Sequence, residues 1–102
     1  MPVTIFHVQD RINLGNFAEL EETARQAYQG GLRDLVIDLT QAASLTSIAI
    51  RAIVIVHKML STDHEKHLKI AGPALIRELL EIAGVTQYVE VYETVEDAVA
   101  SF

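Results

Sequence analysis

Ser47, His57 and Asp38 are the residue types of a hydrolytic triad, and Asp63-His64-Glu65-Lys66-His67 concentrates the side chains that hold metal ions. Neither set has workable spacing. A base must come within about 3 Å of its nucleophile. The apolar periodicity, however, places Ser47 and His57 on one helix, ten residues apart, which is about 15 Å along the axis. The acidic and histidine run is one residue short of the two-histidine zinc pattern and falls in a loop before a strand, so it reads as a solvated charge cluster with no metal. His7 lies in a strand with no second ligand beside it, and reads as a packed or edge histidine. Gly30-Gly31 and Gly72-Pro73 match no phosphate cradle. No enzyme activity and no cofactor is expected.

Ser47 invites a different chemistry. Serine and threonine are the preferred caps of a helix start, and Thr46 or Ser47 could serve there. A phosphate on the same hydroxyl would add about −1.5 to −2 charge, tolerated by the helix N-terminus but repelling or poorly desolvated against a partner. A cap can therefore also be a switch. On a helical wheel, Ile48, Ala49, Ala52, Ile53, Ile55, Val56, Met59 and Leu60 form one apolar arc that must face a sheet. Arg51, His57, Lys58 and Ser61 fall opposite. Ile50 and Val54 sit inside that polar arc, on the side to which Ser47 projects. They read as ordinary surface apolar residues, as residues covered by the preceding loop, or as part of a partner-binding face made of Ser47, Ile50, Arg51, Val54 and Lys58.

The elements that must position this helix alternate along the chain. Val3 to Val8 reads as a strand that continues raggedly to Ile12, and Asn16 with Glu19 as a capping-box helix start, the helix stopping at Gly30-Gly31. Leu35 to Leu39 is a short apolar run of the kind found in a covered strand. The helix from Ser47 follows, then a strand at Leu68 to Ala71. Next come a helix from Gly72-Pro73 through Leu75, Ile76, Leu79 and Ile82 to a Gly84 cap, a strand at Tyr88 to Tyr92, and a last short helix opened by Thr94 and Asp97. This alternation predicts one small α/β domain spanning 1–102. Its mixed, mostly parallel sheet has about four to five strands and about four covering helices, the first strand being the candidate exception to parallel order.

Composition narrows the function classes. Half of the 102 residues are apolar, enough for a core without staples, and the chain has no cysteine, which excludes disulfides and thiolate chemistry. A net charge of −6 has the wrong sign for non-specific nucleic-acid binding. No basic leader precedes a long apolar run, and no stretch reaches the ~18 to 20 apolar residues of a membrane span. A soluble, cytoplasmic protein that touches neither nucleic acid nor membrane interior is expected.

The run Leu35 to Arg51, LVIDLTQAASLTSIAIR, resembles the signature of STAS domains, named for sulfate transporters and anti-sigma factor antagonists. The likeness extends over Val3 to Leu20, Leu68 to Gly72 and Val91 to Ala98. It implies an antagonist that binds an anti-sigma factor acting as a serine-protein kinase, with Ser47 at the phosphorylated position, Thr46 as a second acceptor, and Ile50, Arg51 and Val54 facing the kinase. The best-known antagonists carry aspartate before that serine and a hydroxyl residue then glycine after it. Here these are Thr46, Ile48 and Ala49, closer to a looser branch of the family. Asp10 and Asn13 also depart, standing where the family often has glycine and aspartate. The family's short leading strand has no counterpart, which implies a trimmed sheet edge. The alternative implication is a constitutive, unphosphorylated subunit docking on a transporter ATPase or a signalling scaffold. A homodimer is compatible with either.

Overall fold

The structure, a computed structural model, describes residues 3–7, 14–31, 34–41, 47–60 and 67–102, the side chains of 14–20 and 48 excepted. The order is β1 (Val3–His7), α1 (Leu14–Gln29), β2 (Asp34–Asp38), α2 (Ser47–Leu60), β3 (Leu68–Ala71) and α3 (Ala74–Ile82). A 3-10 turn (Val85–Gln87), β4 (Glu90–Tyr92) and α4 (Val95–Ala100) follow as the last of the described elements. The sheet runs β1-β2-β3-β4 in sequence order, every pair parallel. The exception allowed for the first strand is thus not taken: β1 pairs with β2 in parallel, Val3 opposite Asp34 and His7 opposite Asp38. Each parallel step needs a crossover, and α1, α2 and α3 supply them.

Alternation along the strands divides the core in two. Leu35 and Ile37 of β2 and Leu68 and Ile70 of β3 point to one face, where they are fully buried with Ala24 of α1, Ile53 and Val56 of α2, and Ile76 and Leu80 of α3. Val36 and Ala71 point the other way, onto Ala98 of α4, with Val3, Ile5, Val95 and Val99 half-buried around them. Both faces of β2 are covered, which is why its sequence is a continuous apolar run.

The start of α1 and the extent of the last strand differ from the sequence expectation. Helix α1 begins at Leu14, so Asn16 lies inside it instead of capping it. The ragged continuation of the first strand, from Val8 to Ile12, lies outside the described residues. The last strand is only Glu90–Tyr92, because the N–H groups of Tyr88 and Val89 both bond back to the Val85 carbonyl and hold those residues in the turn. Gly84 makes that turn at φ +81°, a conformation that costs a residue with a Cβ.

The α4 start is as the sequence implies: the Thr94 hydroxyl accepts from the Asp97 N–H at 3.1 Å. Replacing Thr94 by alanine is expected to cost about 1 kcal/mol. Thermal unfolding monitored by circular dichroism should show this as a midpoint lower by about 4–8 °C.

Candidate functional site

Helix α2 rests on the sheet by Ala49, Ala52, Ile53, Val56 and Leu60, all essentially buried. Their spacing of three and four residues leaves Ser47, Arg51 and Lys58 on the opposite side, where all three are exposed in one ridge. Thr46, the second acceptor suggested by the sequence, lies outside the described residues.

Beside the ridge the structure modifies the wheel. Ile50 and Val54 are half-buried and pack against the main core, so they are not a free-standing exposed pair. His57, assigned to the solvent side, is also half-buried, its ring 4.8 Å from that of Tyr88. The cause is lateral. A helix lying among neighbours on a sheet buries more than its under-face, and here the segment between α3 and β4 reaches across to this flank. Ile55 and Met59, assigned to the sheet-facing arc, keep part of their surface because they lie at its other margin.

Because β2 and β3 are parallel, α2 must start at the carboxyl ends of the strands and run back. Ser47 therefore shares that end of the molecule with His7 and Asp38, the last residues of β1 and β2. There His7 Nδ1–H donates to Asp38 Oδ2 at 2.6 Å, while Asp38 Oδ1 accepts from the Thr40 N–H at 2.9 Å and the Thr40 hydroxyl at 2.6 Å. Burial pushes the Asp38 carboxyl up, but the two Thr40 hydrogen bonds and then His7 outweigh it and hold the group below its ordinary range. Asp38 is only 8% exposed. It fixes the first residues of the segment that leads to Ser47. The sequence flagged Asp38 and His7 separately. What joins them is the β1–β2 register, to which the sequence pointed only through a charge set within the apolar run Leu35 to Leu39.

A second such pair closes the other end of β2, where His67 Nδ1–H donates to Asp34 Oδ1 at 2.7 Å. His67 was the last member of the charge cluster, and its ring is directed into the fold; residues 63–66 lie outside the described residues. On the far face, Lys69, 4% exposed, donates to the Ser101 carbonyl at 2.9 Å and hydroxyl at 2.8 Å. Its ammonium also lies 4.3 Å from the Phe102 ring centre, so it secures the C-terminal end of α4.

The geometry offers an exposed hydroxyl, two cations and a partly apolar flank, a surface suited to another macromolecule. No helix among the described residues is long and apolar enough to cross a membrane.

Comparison with known proteins bears on the family and the fold. The family model described as the STAS domain matches residues 2–98. The solution structure of TM1081 matches with a TM-score of 0.83 at 17% identity, covering 96% of this chain and 79% of that one. The crystal structure of TM1081 from Thermotoga maritima, described as a proposed anti-sigma factor antagonist, gives 0.85 at 18%, covering 97% and 86%. An anti-sigma factor antagonist from Mycobacterium paratuberculosis gives 0.83 at 19%, covering 97% and 84%. At such identities the likeness is one of fold. No protein of curated function matches the sequence significantly.

Proposed function

The chain belongs to the STAS family, and from that premise we propose that it is an anti-sigma factor antagonist that captures a serine-kinase anti-sigma factor through α2 and is switched by phosphorylation of Ser47. Capture frees the sigma factor held by the kinase, so the module regulates transcription by exchanging partners. The observation that carries this reading is the exposed ridge Ser47, Arg51 and Lys58, bordered by half-buried Ile50 and Val54.

The chemistry of the switch follows from the helix. Ser47 and Arg51 are one turn apart, so their side chains are neighbours. With Ser47 bare, the Arg51 guanidinium is presented to an acidic group of the partner. A phosphate on Ser47 competes for it from within the chain, and sets an anion where the partner must dock. The helix N-terminus accommodates that charge, so modification alters docking and leaves the fold in place.

The test is capture of the kinase by wild type, Ser47→Ala and Ser47→Asp, measured by calorimetry, with the intact mass of the chain followed after incubation with kinase and ATP. Ser47→Ala is expected to bind like wild type and to take up no phosphate at Ser47. Ser47→Asp should bind about tenfold to a hundredfold more weakly, an interfacial charge unmatched by its partner costing about 1.4–3 kcal/mol. Equal capture by Ser47→Asp removes the switch. Stable co-purification of a transport ATPase with the unmodified chain assigns the face to a constitutive subunit instead.

A further inference from the structure

Helix α3 carries an apolar stripe that the fold leaves uncovered. Leu75 is 55% exposed and Ile82 is 76% exposed. They are seven residues apart, with half-buried Leu79 between them, so all three lie on one side of the helix. Ile76 and Leu80 already bury the seam facing the sheet. The stripe is therefore additional to what α3 needs to pack, and large exposed apolar side chains in register mark contact surfaces.

Its direction follows from its neighbours. Arg77 and Glu81, on one flank of the buried seam, line a hollow along β4 with Val89, Glu90 and Tyr92. The opposite flank, Leu75–Leu79–Ile82, consequently turns toward α2. On α2, His57 reaches Tyr88 in the segment joining α3 to β4, so the flank that carries Ile50, Val54 and His57 turns toward α3. The two rows share the spacing i, i+4, i+7 and belong to helices that both start at the carboxyl end of the sheet. Beyond the α2 row stand Arg51 and Lys58, and beyond the α3 row stands Glu78, all exposed.

We infer that the two rows form one docking face for an amphipathic helix of the partner, whose apolar edge lies between α2 and α3. Its acidic flank meets Arg51 and Lys58, and a basic flank meets Glu78. Opposite charges on the two rims fix the orientation of the occupant, while the apolar rows supply the buried area. The inference rests on α2 being the partner-facing helix and adds α3 and the class of the segment bound.

The test uses the full chain and a designed sixteen-residue helix (about 24 Å long, against about 10 Å for the stripe). It carries leucine along one edge, glutamate on one flank and lysine on the other. A second peptide has lysine on both flanks, so that neither direction of the helix matches the Arg51 and Lys58 rim. In an amide NMR titration, Ile50, Arg51 and Val54 should shift together with Leu75, Leu79 and Ile82, with one dissociation constant. The matched peptide should bind about tenfold tighter than the all-lysine one, one well-placed charge contrast being worth about 1.4 kcal/mol. L75Q/I82Q should weaken the matched peptide at least about tenfold. Both side chains being largely exposed, the unfolding midpoint should hardly move. R51E/K58E should reverse the preference between the peptides. Shifts confined to α2, equal affinity for both peptides, or self-association of the chain through Leu75 and Ile82 in sedimentation would each overturn the inference. These peptides contain no kinase, so a failure here alongside weakened kinase capture by Ser47→Asp would remove α3 from the interface and leave the proposed function standing.

Discussion

Replacing Ile53 by alanine is expected to lower stability by about 2–4 kcal/mol, because it deletes buried atoms and leaves a cavity that the surroundings only partly fill. For a domain of this size that is a drop of roughly 10–25 °C in the unfolding midpoint. Ile53 is fully buried where α2 meets the sheet, in the same cluster as Ile37 and Ile70. Its neighbour Val54 is half-buried on the flank, so Val54→Ala should cost less than about 1.5 kcal/mol. Urea unfolding of the pair checks this directly, with an unchanged denaturant slope confirming that both variants still unfold as the same compact unit. If Val54→Ala proved the more damaging, the sheet-facing seam of α2 would be misplaced by one position, about 100° around the helix. The ridge of Ser47, Arg51 and Lys58 would then lose its common exposure.

This contrast marks what was legible before the fold was seen. The under-face of α2 could be read because Ala49, Ala52, Ile53, Val56 and Leu60 repeat at helical spacing, a pattern that depends only on the chain itself. The strands β2 and β3 and the Thr94 cap were legible for the same reason, each being signalled by adjacent residues. The flank of α2 was not. His57 meets Tyr88, about thirty residues away, and Ile50 and Val54 pack against the main core, contacts that no local period reports. In α3 the sequence marks Leu75, Ile76, Leu79 and Ile82 as helical without dividing them by face. Only the exposures separate Ile76 and Leu80, which bury, from Leu75 and Ile82, which do not. The short β4 was overestimated because Tyr88 and Val89 have the residue types of a strand, while the Val85 carbonyl, a tertiary competitor, takes their N–H groups. Likewise, the tie between His7 and Asp38 required the parallel register of two strands that α1 separates in the chain.

That tie makes Asp38 the other site of large expected effect. Asp38→Ala removes the acceptor of two Thr40 bonds and one from His7, and leaves the Thr40 N–H without its side-chain partner, a loss of about 2–4 kcal/mol near neutral pH. Asp38→Asn retains one acceptor oxygen but no charge, and should cost less, about 1–2 kcal/mol. The pH dependence separates charge from shape. Asp38 titrates in the fold below its ordinary value of 3.8, so its contribution is complete above that value and disappears as pH falls through the lower, folded-state value. The wild type should therefore lose stability as pH falls from about 4 downward through the folded-state value, and the gap to Asp38→Asn should narrow over the same interval. Denaturant midpoints of both proteins across that range measure it. A gap constant with pH would mean that the carboxylate charge adds nothing, and that Asp38 acts as a neutral acceptor would. His7→Ala completes the comparison. The His7 side chain is 67% exposed, so its loss should cost under about 1 kcal/mol, leaving the Thr40 hydrogen bonds as the larger part of what Asp38 holds. Those bonds fix the start of the segment that runs to Ser47. Asp38→Asn should accordingly weaken kinase capture even at neutral pH, where the domain remains folded, by loosening the approach to α2 without touching the docking face itself.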